Sequence, residues 1–153
     1  MTNLSPLIEK IEAAEEGSRY LDIDLVQSIY DDQDPLVPAP RHHQPDVCKR
    51  IPRTWWERWL GLPPTAFFTI PQYTTSIDAI VGLIEKEGFE PTSLGWTITR
   101  INTAAILNHE ISTAGKRWVC YNGKGHTPAL ALCAAFLRAV QAKRSLSPDT
   151  EKG

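Results

Sequence analysis

The sequence has no apolar run near the roughly 20 residues that span a bilayer, which excludes a helical membrane protein. Its first residues carry no basic segment ahead of an apolar core, so no secretory leader is expected. Only three cysteines are present, Cys48, Cys120 and Cys133, odd in number and widely spaced. They do not form a disulfide framework and suit a reducing, cytoplasmic setting. The net charge of −2 lacks the basic excess of a general polyanion binder, so long nucleic acid is not the expected partner. A nucleophile elbow, a Walker loop, a dinucleotide fingerprint and a Ser-His-Asp spacing are all missing. The expectation is therefore a protein without catalysis. His42, His43, Asp46 and Cys48 make one loose group without the second ligand pair of a zinc site, so neither metal nor cofactor is expected.

What is present fits one soluble α+β domain. A chain of 153 residues buries enough surface to fold without a staple. The charge is unevenly placed: residues 1–34 hold nine acidic and two basic residues, whereas 35–153 sum to +5. An acidic N-terminal arm can pack on a basic body, in its own chain or in a neighbour's.

Along the chain, Ser5-Pro6 reads as the cap and first turn of a helix that Gly17 ends. Ser18 starts a second, with Leu21, Leu25, Val26 and Ile29 at helical spacing. Eight of the twelve prolines fall within residues 35–71, which predicts an irregular connection. Thr54 and Glu57 form a capping box around Trp55, Trp56 and Trp59, which predicts a short helix. Ser76, or Thr75 before it, caps a helix with Ile77, Ile80, Val81 and Ile84 on one face, ended by Gly88. Leu94, Trp96 and Ile98, then Ala105, Leu107, His109 and Ile111, alternate as strands, and residues 117–121 make a third. Asn122-Gly123-Lys124-Gly125-His126 reads as a glycine-rich loop. Thr127-Pro128 opens the last helix, with a core face of Leu130, Cys133, Ala134, Leu137 and Val140. The expected organisation is a helical arm over 1–34, a proline- and tryptophan-rich connection over 35–72, an α-β-β-β-α core over 73–143 with a three-stranded antiparallel sheet, and a disordered tail over 144–153.

Two places carry binding chemistry. Trp55 and Trp59 share a helical face beside Arg53 and Arg58, which suits a plug over the sheet or a stacking surface for a ring. The loop before the last helix offers free N–H groups and the positive end of a dipole, with Lys124 and His126 as further donors.

Three motifs carry a resemblance. Arg19-Tyr20-Leu21-Asp22, Pro71-Gln72-Tyr73-Thr74-Thr75-Ser76-Ile77-Asp78-Ala79 and Gly125-His126-Thr127-Pro128-Ala129-Leu130-Ala131-Leu132-Cys133-Ala134-Ala135 are similar to motifs of the phage ABA-sandwich domain family. The resemblance covers roughly residues 18–140. It departs at the proline-rich insertion and the tryptophan turn. It implies a phage or prophage accessory protein with a helix–sheet–helix fold, related to sponges that sequester cyclic nucleotide signals of host immunity. The order helix, three strands, helix also resembles a double-stranded-RNA-binding domain. Pro128 and Ala129 stand where that family has its phosphate-binding lysines.

The function expected is sequestration of a small nucleotide signal, an anti-defence role in the host cytoplasm. Trp59 and Tyr73 would stack on rings. Arg53, Thr74, Ser76, Lys124, His126 and Thr127 would hold phosphate. The alternative is a protein-binding inhibitor of a host defence enzyme that uses the tryptophan turn as its hot spot. A homo-oligomer is expected, because a small three-stranded sheet needs its second face covered.

Overall fold

The fold was obtained as a computed structural model that describes residues 3–30, 36–38, 47–50, 67–89, 94–98, 103–113 and 115–146. It is mixed α+β, as the sequence predicts. The chain divides into two compact units, Met1–Gly17 with Tyr73–Gly153, and Ser18–Gln72. The stretch read as one N-terminal arm is thus shared between the units, its two helices parting at Gly17.

In the Ser18–Gln72 unit, helix α2 (Arg19–Ile29) follows α1 (Ser5–Ala13) of the other unit. Ser18 caps α2 as expected, its hydroxyl accepting the Leu21 N–H at 3.2 Å. Leu21, Leu25, Val26 and Ile29 are buried, and Ile23 joins them. Three short strands, β1 (Leu36–Pro38), β2 (Val47–Arg50) and β3 (Phe67–Thr69), form an antiparallel sheet in that order. They replace part of the expected irregular connection. Their shortness hides them from periodicity, and Pro38 sits on an outer strand, where a missing N–H is tolerated. Arg19 locks this unit: its Nη1 donates to Asp22 Oδ2 at 2.7 Å and Pro71 O at 3.2 Å, and its Nη2 to Ile70 O at 2.6 Å. The tryptophan turn, its capping box, Arg53 and Trp59 lie outside the described residues.

The other unit is built on α4 (Pro128–Leu146). Its sheet has the antiparallel order β4 (Leu94–Ile98), β5 (Thr103–Thr113), β6 (Gly115–Gly125). Ala105 and Leu107 of β5 are buried, whereas Ala104 and Ile106, which alternate with them, are exposed, the expected pattern. Helix α4 packs on β5 and β6 with one side and on α1 and α3 (Ile77–Lys86) with others. It is therefore buried around most of its circumference: Ala131, Leu132, Ala135, Phe136 and Ala139 are as enclosed as the expected core face. It continues to Leu146, so residues 144–146, read as the start of a disordered tail, belong to the helix, and the rest of that expected tail lies outside the described residues.

Two further readings change. The glycine-rich segment 122–125 is not a loop but the end of β6, paired with Thr103–Ile106 of β5. Its glycines serve close packing: a Cβ on Gly125 would lie 2.8 Å from the Ala131 amide nitrogen and 2.9 Å from the Leu130 Cβ. Helix α1 ends at Ala13 rather than at Gly17, and Ser5 is its first residue, not its cap. Leu4 holds the N-cap position without a side-chain cap, and Asn3 Oδ1, one residue before it, accepts the Ser5 N–H at 3.0 Å. Gly17 is needed for proximity, since a Cβ there would meet the Thr74 carbonyl.

Helix α3 ends in a Schellman arrangement. Gly88 takes φ +87°, its N–H bonds Glu85 O at 3.0 Å, and the Phe89 N–H bonds Ile84 O at 3.1 Å. Phe89 then packs edge-on against Phe136 of α4, with ring centroids 6.0 Å apart. Lys143 of α4 donates to Glu87 O at 3.1 Å and stands 5.5 Å from the Phe89 ring. A cation there also suits the negative end of the α3 dipole.

Candidate functional site

The free side of β6 carries the site. Strand β6 ends the sheet order and pairs only with β5 among the described strands. Its Asn122 C=O and Lys124 N–H are met by side chains instead of by another strand. Arg138 of α4 donates from Nη1 to Asn122 O at 2.7 Å, and the Lys124 N–H donates to Glu12 Oε1 of α1 at 3.2 Å. Glu12 and Arg138 close the arrangement as an ion pair at 2.5 Å. The pair occupies an edge that would otherwise template strand addition. It also gives atomic form to part of the expected charge match, an acidic N-terminal residue on a basic body.

Around this pair lies a cleft of about 390 Å³ lined by Glu12, Cys120, Tyr121, Asn122, Lys124 and Arg138. Burial pushes the Glu12 carboxyl up, but the hydrogen bonds from Arg138 and the Lys124 amide, with the charges of both residues, outweigh it and hold the group below its ordinary value of 4.5. Burial raises the Tyr121 phenol, which is therefore neutral across the physiological range. Cys120 is an exposed free thiol. Two cations, a half-buried aromatic ring and an open mouth can hold an anion that carries a ring.

The residues chosen from sequence divide between this cleft and the scaffold. Lys124 lines the cleft. Thr127 caps α4, its Oγ1 accepting the Leu130 N–H at 3.3 Å. Ser76 caps α3 through the Ala79 N–H at 3.3 Å. Thr74 is fully buried. The Tyr73 carbonyl accepts the Cys133 thiol at 3.4 Å. The His126 ring nitrogen Nδ1 lies 2.9 Å from Ala14 O, just past the end of α1. Arg53 and Trp59 fall outside the described residues. Sequence reasoning missed Glu12, Tyr121 and Arg138. A signal existed for Arg138, the only charged residue across 128–142, in an otherwise apolar and alanine-rich helix.

The three motifs behind the family resemblance now have roles in the fold. Arg19 and the buried Asp22 form the ion pair of α2, Ser76 and Thr127 are caps, and Gly125 with the alanines of α4 permits helix and strand to touch. Comparison with family models, curated proteins and solved structures finds no match to this chain. Among the described residues, no helix is long and apolar enough to cross a membrane.

Proposed function

We propose that the chain is a non-enzymatic accessory protein of the phage or prophage kind, which binds a small nucleotide signal and withholds it from the host. The observation that carries this reading is the cleft, where Lys124 and Arg138 flank Tyr121 around about 390 Å³. That volume lies within the roughly 300–1,000 Å³ of small-molecule sites. The motif resemblance to phage ABA-sandwich proteins supports the same reading and narrows the ligand to cyclic oligonucleotides. Phosphate falls to Arg138 and Lys124, and a base to the Tyr121 ring. Such a protein works in the host cytoplasm. It self-associates, and the exposed Ile106 on β5, 40% accessible, supplies apolar surface for that contact.

Calorimetry against cyclic di- and trinucleotides tests it, at about 50 μM protein, where a Kd of about 1 μM is visible. Heat with one member, lost in Lys124→Ala and Arg138→Ala, is expected. Silence across the panel, or binding that survives both substitutions, removes the assignment. Light scattering at low salt tests the self-association: a mass above the 17.1 kDa of one chain is expected, and a monomer at that mass removes it.

A further inference from the structure

The anion position of the cleft is already filled by the protein. Glu12 Oε1 accepts from both the Arg138 guanidinium and the Lys124 amide, the two donors a phosphate oxygen would use. We propose that Glu12 is a displaceable internal occupant of this position, exchanged for a phosphate group when ligand enters. The identity of the ligand rests on the nucleotide reading; the exchange itself rests only on phosphate chemistry.

Three features favour exchange over a permanent clasp. First, the receiving donors are fixed independently of Glu12. Arg138 remains tied to the Asn122 carbonyl at 2.7 Å, and the β6 backbone that carries the Lys124 N–H on its free side is fixed by pairing with β5. The position therefore keeps its shape when the carboxylate leaves. Second, the pair is wet. The Arg138 side chain is 38% exposed and that of Glu12 24%, so neither charge is stranded in a dry interior when they part. Third, the donor set suits phosphate better than a single carboxylate. A guanidinium offers five N–H donors in a planar fork, and an incoming phosphate brings more acceptor oxygens and more charge than Glu12 supplies. Lys124 already acts on Glu12 by its charge, and a phosphate would inherit that attraction.

Glu12 thus cancels one of the two positive charges at this point, so that only an anion with more charge or more acceptor oxygens than a carboxylate displaces it. Glu12→Gln tests the idea, because it removes the charge and keeps the shape. Glu12→Ala is the second variant, which removes the competing oxygen altogether. Inorganic pyrophosphate is the first probe, followed by titration calorimetry and by the amide resonance of Lys124. A cyclic dinucleotide is the second probe. Pyrophosphate is expected to bind both variants about tenfold more tightly than the unaltered chain, equivalent to about 1.4 kcal/mol, with the Lys124 amide shifting on binding. Arg138→Ala in the Glu12→Gln background is expected to abolish that gain. Equal pyrophosphate affinity in the unaltered chain and both variants, or no binding to any of them, overturns the exchange. If pyrophosphate shows the gain and no nucleotide binds, the exchange stands and the nucleotide reading falls. If a nucleotide binds through Arg138 equally with and without Glu12, the nucleotide reading stands and the exchange falls.

Discussion

Gly123 of β6 and Ala135 of α4 touch backbone to side chain: a Cβ on the glycine would lie 3.0 Å from the Ala135 Cβ and would also meet the Ala135 amide and the Ala131 carbonyl. Two of those obstacles are backbone, which cannot swing aside. Gly123→Ala is therefore expected to destabilise the fold by about 1–3 kcal/mol or more, since helix and strand must separate. Gly82 is the contrast. It lies exposed within α3 with nothing within 4 Å of a built Cβ. Gly82→Ala should stabilise by about 0.5–1 kcal/mol through helix propensity. Urea unfolding of both variants gives the two signs. A neutral Gly123→Ala would mean that α4 does not sit on β6 as described.

That contact also explains where the sequence was legible and where it misled. Serines and threonines ahead of apolar helical faces were reliable at three of the four described helices, Ser5 being the exception, because a cap is decided by neighbours three residues away. Ser18 and Thr127 act as read, and of the two candidates Ser76 and Thr75 it is Ser76 that caps. Gly88 was readable for the same reason. Gly123 and Gly125 were not, because glycine tempts a loop reading, while their cause lies in α4, which begins only after them. Ser5 was read as a cap because it is a good one and Pro6 then takes the first helical position, whereas the helix starts one residue earlier, with Leu4 at its N-cap. The site was legible only at Lys124. Glu12 and Arg138 are 126 residues apart, and no local pattern announces a side-chain pair that takes the place of a strand.

Arg19 and Asp22 should prove costly to separate. Asp22 is fully buried, and Arg19 also holds the Ile70 and Pro71 carbonyls. Asp22→Ala leaves a guanidinium without its counter-charge and is expected to cost about 3–5 kcal/mol. An apolar replacement of both, Arg19→Met with Asp22→Leu, should recover part of this, limited by the two carbonyls that lose their donor. Thermal unfolding of the single and double variants checks it. An Asp22→Ala chain that unfolds like the parent would show that the pair contributes nothing.

Ser76 and Thr127 were chosen from sequence as phosphate contacts, whereas their hydroxyls face the first turns of α3 and α4. The two roles separate experimentally. As caps, Ser76→Ala and Thr127→Ala should each cost about 1 kcal/mol of stability, with glycine at either position costing only a few tenths. Nucleotide affinity should be unchanged in the glycine variants. A glycine variant that is stable but loses ligand would return that residue to the binding set.

Glu12 gives the fold an acid-sensitive contact whose sign is fixed. Its carboxyl is held below the ordinary 4.5, so the folded state binds the proton less readily than the unfolded chain. The pair's contribution is then fully present above the unfolded value and is lost as pH falls through the folded one. Because both side chains are partly exposed, the contribution is small, about 0.2–1 kcal/mol. Glu12→Gln should therefore be less stable than the parent near pH 7 by that amount, and the two urea midpoints should converge as the pH falls below the ordinary carboxylate range and the parent carboxyl takes up its proton. A gap that stays constant throughout this acidification would assign the effect of the substitution to packing rather than to charge.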